Sequence, residues 1–99
     1  MSQTPESPSL DPVARFLLDY LAERASAAPD EVARAFAALK SEEKKTPVDW
    51  RPYLNTVKQQ ALYLVKQGRI ELLRKGNVIT PDQAKGLIRY RLTLDPPAQ

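Results

Sequence analysis

The sequence predicts an α+β domain in which a bundle of three helices is followed by a C-terminal β-hairpin. Two proline-led helix starts, at Asp11-Pro12 and at Pro29-Asp-Glu31, each open a run of apolar residues at helical spacing. A third and clearer helical stripe begins at Trp50, and after Gly68 the apolar period changes from 3.6 to 2.

In chain order, residues 1–9 are polar and proline-rich without apolar period and read as a disordered arm, so the domain is expected over 10–94, with a short tail over 95–99. Asp11 is placed to cap the first helix, whose inner stripe is Val13, Phe16, Leu17, Tyr20 and Leu21. The second helix puts Asp30 and Glu31 in its first turn, where the helix dipole favours carboxylates, and Val32, Ala33, Phe36 and Leu39 on its inner side. Lys40 to Pro47 has no apolar residue and is expected as an exposed loop or frayed end. Asp49 is expected to cap the third helix, which clusters Trp50, Leu54, Val57, Ala61, Leu64 and Val65 in one arc and ends at Gly68.

Two strands follow, Ile70–Lys75 and Ile88–Leu94, expected to pair antiparallel. Ile88, Tyr90, Leu92 and Leu94 should face one way and Arg89, Arg91 and Thr93 the other. Between them, Gly76-Asn77 signals a turn, and Thr80-Pro-Asp-Gln83 has the form of a capping box that opens one helical turn closed by Gly86. Three helices, of which the last precedes a hairpin, make the arrangement a winged helix with a helix-turn-helix-like core.

An ordered series of motifs within residues 28–93 also resembles a bacterial family, the domain of unknown function 3253. The series is Pro29-Asp-Glu-Val-Ala-Arg34, Asp49-Trp-Arg-Pro52, Gly68-Arg-Ile70, Lys75-Gly76 and Gly86-Leu-Ile-Arg-Tyr-Arg91. The resemblance implies a small winged-helix-like domain and implies no established activity.

A chain of 99 residues is economically one domain, because two halves would each be too small to bury a sufficient core. Its 42% hydrophobic and 27% charged content is that of a globular protein. Cysteine and histidine are both absent, which excludes disulfides, thiolate nucleophiles, Cys/His zinc sites and imidazole-dependent catalysis. The carboxylates are explained by capping and solvation, and three glycines form no phosphate loop. The expectation is a non-enzyme without cofactor or metal. The sequence contains neither a membrane-length apolar run nor a secretory pattern, so a cytoplasmic location is expected.

The net charge of +3 hides a separation. Residues 1–49 carry six basic and nine acidic side chains, whereas residues 50–94 carry nine basic and two acidic ones. Such asymmetry suggests an anionic partner. On the third helix, Arg51, Asn55, Lys58 and Gln59 are of the types that reach base edges and phosphates; any one of them alone is better explained as part of a solvated face, and the set is more persuasive than its members. On the wing, Arg74, Lys75, Lys85, Arg89 and Arg91 suit phosphates or, alternatively, protect sheet edges from aggregation. Alternation should put Arg89 and Arg91 on one face and send Arg74 and Lys75 to opposite faces.

Trp50, with Tyr53 and Tyr63, could form a base-stacking platform, but the position of Trp50 on the apolar stripe favours packing. Leu62 and Tyr63 form a candidate apolar spot for a protein partner. The candidate partners are therefore duplex DNA, another protein or a second copy of the chain, with neither membrane nor metal.

Overall fold

The computed structural model describes residues 11–93, so the expected arm over 1–9, the tail over 95–99 and Leu94 of the last strand lie outside the described residues. The first helix, α1 (Pro12–Ala22), begins as its sequence dictates, with Asp11 Oδ1 accepting the Val13 N–H at 2.8 Å. The second, α2 (Pro29–Lys44), carries Asp30 and Glu31 in its first turn, and Glu31 Oε1 accepts the Ala28 N–H at 3.3 Å. This helix runs five residues, Lys40 to Lys44, into the stretch expected as a loop. Its Lys-Ser-Glu-Glu-Lys sequence lacks any helix breaker, and Lys40 pairs with Glu43 at 3.4 Å. Lys45 in the left-handed conformation (φ 62°) ends it, and Ser41 Oγ then pins the connector by accepting the Val48 N–H at 2.9 Å. Leu39, expected inside, is exposed; the inward positions on that turn belong to Phe36 and Ala37.

The third helix, α3 (Arg51–Lys66), has Trp50 at its N-cap, one residue later than expected. Asp49 still serves the helix start, accepting the Arg51 N–H at 3.2 Å. At the other end Gly68 adopts φ +76°, which lets its N–H reach the Val65 carbonyl (2.9 Å) while the Arg69 N–H reaches that of Leu64 (3.0 Å). This pair of bonds closes the helix and turns the chain into the sheet.

Strand β1 (Ile70–Arg74) pairs antiparallel with β3 (Arg89–Leu92), as alternation predicts, with Leu72 opposite Tyr90 and Glu71 opposite Arg91. A further strand, β2 (Asn77–Ile79), adds to the other edge of β1, so the sheet order is β2-β1-β3. Three residues are too few to display a period of two, which is why the turn signal was legible in the sequence and the strand behind it was not. Lys75 and Gly76, at φ 53° and 83°, form the two-residue hairpin turn between β1 and β2. Ala27, between α1 and α2, extends the sheet beyond β3: its N–H reaches the Tyr90 carbonyl at 3.0 Å and its carbonyl accepts the Tyr90 N–H at 2.7 Å. Three helices followed by this small antiparallel sheet make an α+β, winged-helix-like fold.

The core lies where the three helices meet the inner face of the sheet. Leu17 and Leu21 of α1, Val32 of α2, Val57 and Leu64 of α3, and Ile70, Leu72 and Tyr90 of the sheet are all buried in it. An aromatic series links the helices beside it: Tyr20 stacks on Phe16 (5.7 Å), and Phe36 takes edge contacts from Phe16 (5.3 Å) and Tyr53 (5.0 Å).

Burial pushes the Tyr90 phenol well above the usual tyrosine range. Tyr20 is raised as well, by burial first and then by its 3.0 Å hydrogen bond to Glu31. A raised phenol favours the folded state fully below the unfolded pKa of 10.0, and that contribution is lost as the pH rises through the folded value. The unfolding temperature should therefore fall above about pH 10, and thermal melts of Tyr90→Phe should show a shallower fall than wild type. An equally steep fall in the variant would contradict the assignment.

Candidate functional site

The outer face of α3 carries Arg51, Asn55, Lys58, Gln59, Leu62 and Lys66, all exposed and, at 100° per residue, within an arc of about 100°. The expected set is thus gathered on one face, and Lys66, outside the expected set, joins it. Arg51 is tethered by Asp49 (3.3 Å) and lies over the Trp50 ring at 5.3 Å. Trp50 is half-buried against the core, with Arg34 over its ring at 4.2 Å, and Tyr53 belongs to the aromatic series. The three aromatic residues therefore form no shared platform; Tyr63 alone stands in solvent, at 43% exposure.

On the wing, the structure regroups the basic residues. Arg74, Lys75 and Lys85 line one open cleft of about 410 Å³ at the hairpin turn, together with Asn77, Ile79, Asp82 and Gln83. Arg74 and Lys75 were expected on opposite faces, but alternation holds only inside a strand. β1 ends at Arg74, and the positive φ of Lys75 returns its side chain to the same cleft. The capping box forms around a short 3₁₀ turn, Pro81–Gln83, in which Gln83 Oε1 accepts the Thr80 N–H (3.1 Å) and Thr80 Oγ1 donates to Asp82 (2.7 Å). That hydroxyl, followed by the residue's own backbone N–H, holds the Asp82 carboxyl below its usual range. Arg74 reaches the same turn through the Gln83 carbonyl at 3.4 Å.

Arg89 and Arg91 share a face, as expected, but both are tied into the fold. Arg91 bonds Glu71, its cross-strand partner, through Nε (3.1 Å) and Nη2. Arg89 donates to the Ser26 hydroxyl (2.8 Å) and carbonyl (3.2 Å) and lies 3.7 Å from Glu31. The structure thus separates the five expected wing residues into three at the tip and two that act as cross-links.

Leu62 and Tyr63 are likewise separated. Leu62 lines a second cleft, of about 350 Å³, between α3, the start of α2, the sheet and the segment Pro81–Ile88. Tyr63 sits one residue on, 100° around the helix, and is not part of that lining. Leu87, 94% exposed at the rim of this cleft, was not singled out in the sequence. The signal was present, since a strand that turns Ile88 inward turns its neighbour outward.

Fold and surface together define a small winged-helix-like domain with a basic wing tip and an apolar cleft beside its third helix. The chain matches the model of DUF3253, described as a protein of unknown function, over residues 9–93, and it belongs to that family. No curated protein matches the chain. Among the described residues no helix is long and apolar enough to cross a membrane, and no group of three or more acidic, cysteine or histidine residues could hold a metal ion.

Lys75 occupies a left-handed turn position that asparagine or glycine adopts with less strain. Lys75→Asn should therefore raise stability by up to about 1 kcal/mol in urea unfolding. An unchanged or lowered midpoint would show that the turn carries no such strain.

Proposed function

We propose that the protein binds nucleic acid, duplex DNA in particular, with the outer face of α3 directed to a groove and the wing tip to phosphates. The observation that carries this reading is the convergence of Arg74, Lys75 and Lys85 on one cleft, none of them within 4 Å of a carboxylate oxygen among the described residues. Lysine and arginine placed in this way contribute by releasing counterions from the duplex. Asn55 and Gln59 on α3 are of the types that bond adenine, and Lys58 and Lys66 flank them on the same face. Arg89 and Arg91, already bonded within the fold, contribute through the geometry of the wing.

Anisotropy titration of a labelled duplex at several salt concentrations is the test. Affinity should fall with salt at a log-log slope of about −0.9 per neutralised phosphate. Exchanging Arg74, Lys75 and Lys85 together for Gln should reduce the magnitude of that slope by about 2 to 3. Arg91→Gln should instead lower stability by about 1 kcal/mol and leave the slope near its wild-type value. No binding at low salt would overturn the proposal.

A protein partner, or a second copy of the chain, is the alternative that the exposure of Leu62 (40%) and Tyr63 (43%) favours. Partners that survive nuclease treatment of a pull-down would support this alternative over DNA.

A further inference from the structure

The cleft beside α3 differs from the wing tip in chemistry. Its walls are Leu54 and Leu62 of α3, Leu72 of β1, and Leu87 and Ile88 before β3. At about 350 Å³ it falls at the small end of ligand sites, which run from roughly 300 to 1,000 Å³. Three side chains on its lining have polar ends. Asp30 pairs with Arg34 at 3.8 Å, while Lys58 has no carboxylate within 4 Å among the described residues. Tyr90 is only 1% exposed, and its hydroxyl has no hydrogen-bond partner among those residues. Tyr90 borders this cleft. A buried phenol costs least when its hydroxyl is bonded, and the described residues supply no partner.

We propose that this cleft binds a small amphipathic anion, an aromatic or aliphatic carboxylic acid, with its apolar body among the leucines and its carboxylate held by Lys58. The leucine walls favour a compact apolar body over a polar one. Among the described residues the one cation on the lining, Lys58, has no ion-pair partner and the one carboxylate, Asp30, is offset by Arg34, so the field in the cleft favours a negative head group. Tyr90, whose hydroxyl has no partner among the described residues, borders the same cleft. The inference does not rest on the DNA reading, because it uses the lining of this cleft and not the wing-tip cations.

The test is an NMR titration of the ¹⁵N-labelled full chain with 4-phenylbutyrate, and with 4-phenylbutanol as its neutral counterpart. The acid should produce saturable shifts at the amides of Leu62, Ala84, Gly86 and Leu87 at or below about 10 mM, and should bind about three- to tenfold tighter than the alcohol. Lys58→Gln should remove that difference and leave the alcohol affinity unchanged. Leu62→Glu, at an exposed position that keeps the fold, should abolish binding of the acid. Any of three results would overturn the proposal: no saturable shifts in the wild type, equal affinity for acid and alcohol, or full binding by Leu62→Glu. Loss of DNA binding alone would bear on the wing-tip reading and leave this one standing.

Discussion

The backbone exchange between Ala27 and Tyr90 is the constraint on which the rest of the structure depends. Ala27 joins the first two helices and Tyr90 lies in the last strand, so two hydrogen bonds draw the end of the described chain between elements laid down near its beginning. Ala27 is fully buried, and any larger side chain there would hold the strand away from the helices. With β3 seated, its register fixes β1, and the Thr93 N–H reaches the carbonyl of Arg69, the residue just before β1 (3.1 Å). Tyr90 then contributes its ring to the core, a burial worth roughly 2 to 3 kcal/mol, against the cost of a phenol held where water reaches it poorly.

This junction also explains why the charge of the C-terminal half overstates the charge offered to a partner. Arg89 and Arg91 flank Tyr90 in sequence, so seating Tyr90 brings both arginines to acids and carbonyls from other parts of the chain. Glu31 and Ser26 come from the start of α2 and the loop before it, and Glu71 from the neighbouring strand. The side chains left over for an anionic partner are those beyond the reach of these acids: Arg74, Lys75 and Lys85 at the wing tip, Lys58 and Lys66 on α3, and Arg69 just before β1. Sequence separation of charge and spatial availability of charge are different quantities, and here tertiary pairing accounts for the difference.

Local signals made most of the fold legible. Asp11-Pro12, Pro29-Asp-Glu31 and Gly68 each act through bonds to residues only a few positions away, and each fell within a residue or two of the observed boundary. Alternation in Arg89–Leu92 correctly separated Tyr90 from its arginine neighbours. What escaped was non-local or too short. The Ala27 bridge has no signature, since one alanine pairs through its backbone alone. Strand β2 has three residues, and the continuation of α2 through Lys44 depends on helix propensity where no apolar stripe remained to follow. The site was legible as a set of residue types and illegible as a grouping. The convergence of Lys75 with Arg74 follows from a positive φ, and the pairing of Arg91 from a cross-strand register, neither of which composition displays.

The segment from Pro81 to Gly86 gives the two clefts a common wall. Pro81, Ala84 and Gly86 line the apolar cleft, whereas Asp82, Gln83 and Lys85, which alternate with them, line the basic one. The segment is held by a 3₁₀ turn and by the Arg74 bond to the Gln83 carbonyl, and its last residue, Gly86, adopts φ +77° with open space around it. A molecule in the apolar cleft would therefore border the same backbone that carries Lys85 at the wing tip. It would also neutralise Lys58, a cation on the face of α3 that the DNA reading uses. Occupation of the two sites is then coupled through one short wall and one shared charge. By linkage, whatever factor an acid in the apolar cleft imposes on duplex affinity, the duplex must impose on the affinity for the acid. Neutralising Lys58 removes a cation from the α3 face, so the shared charge makes that coupling negative.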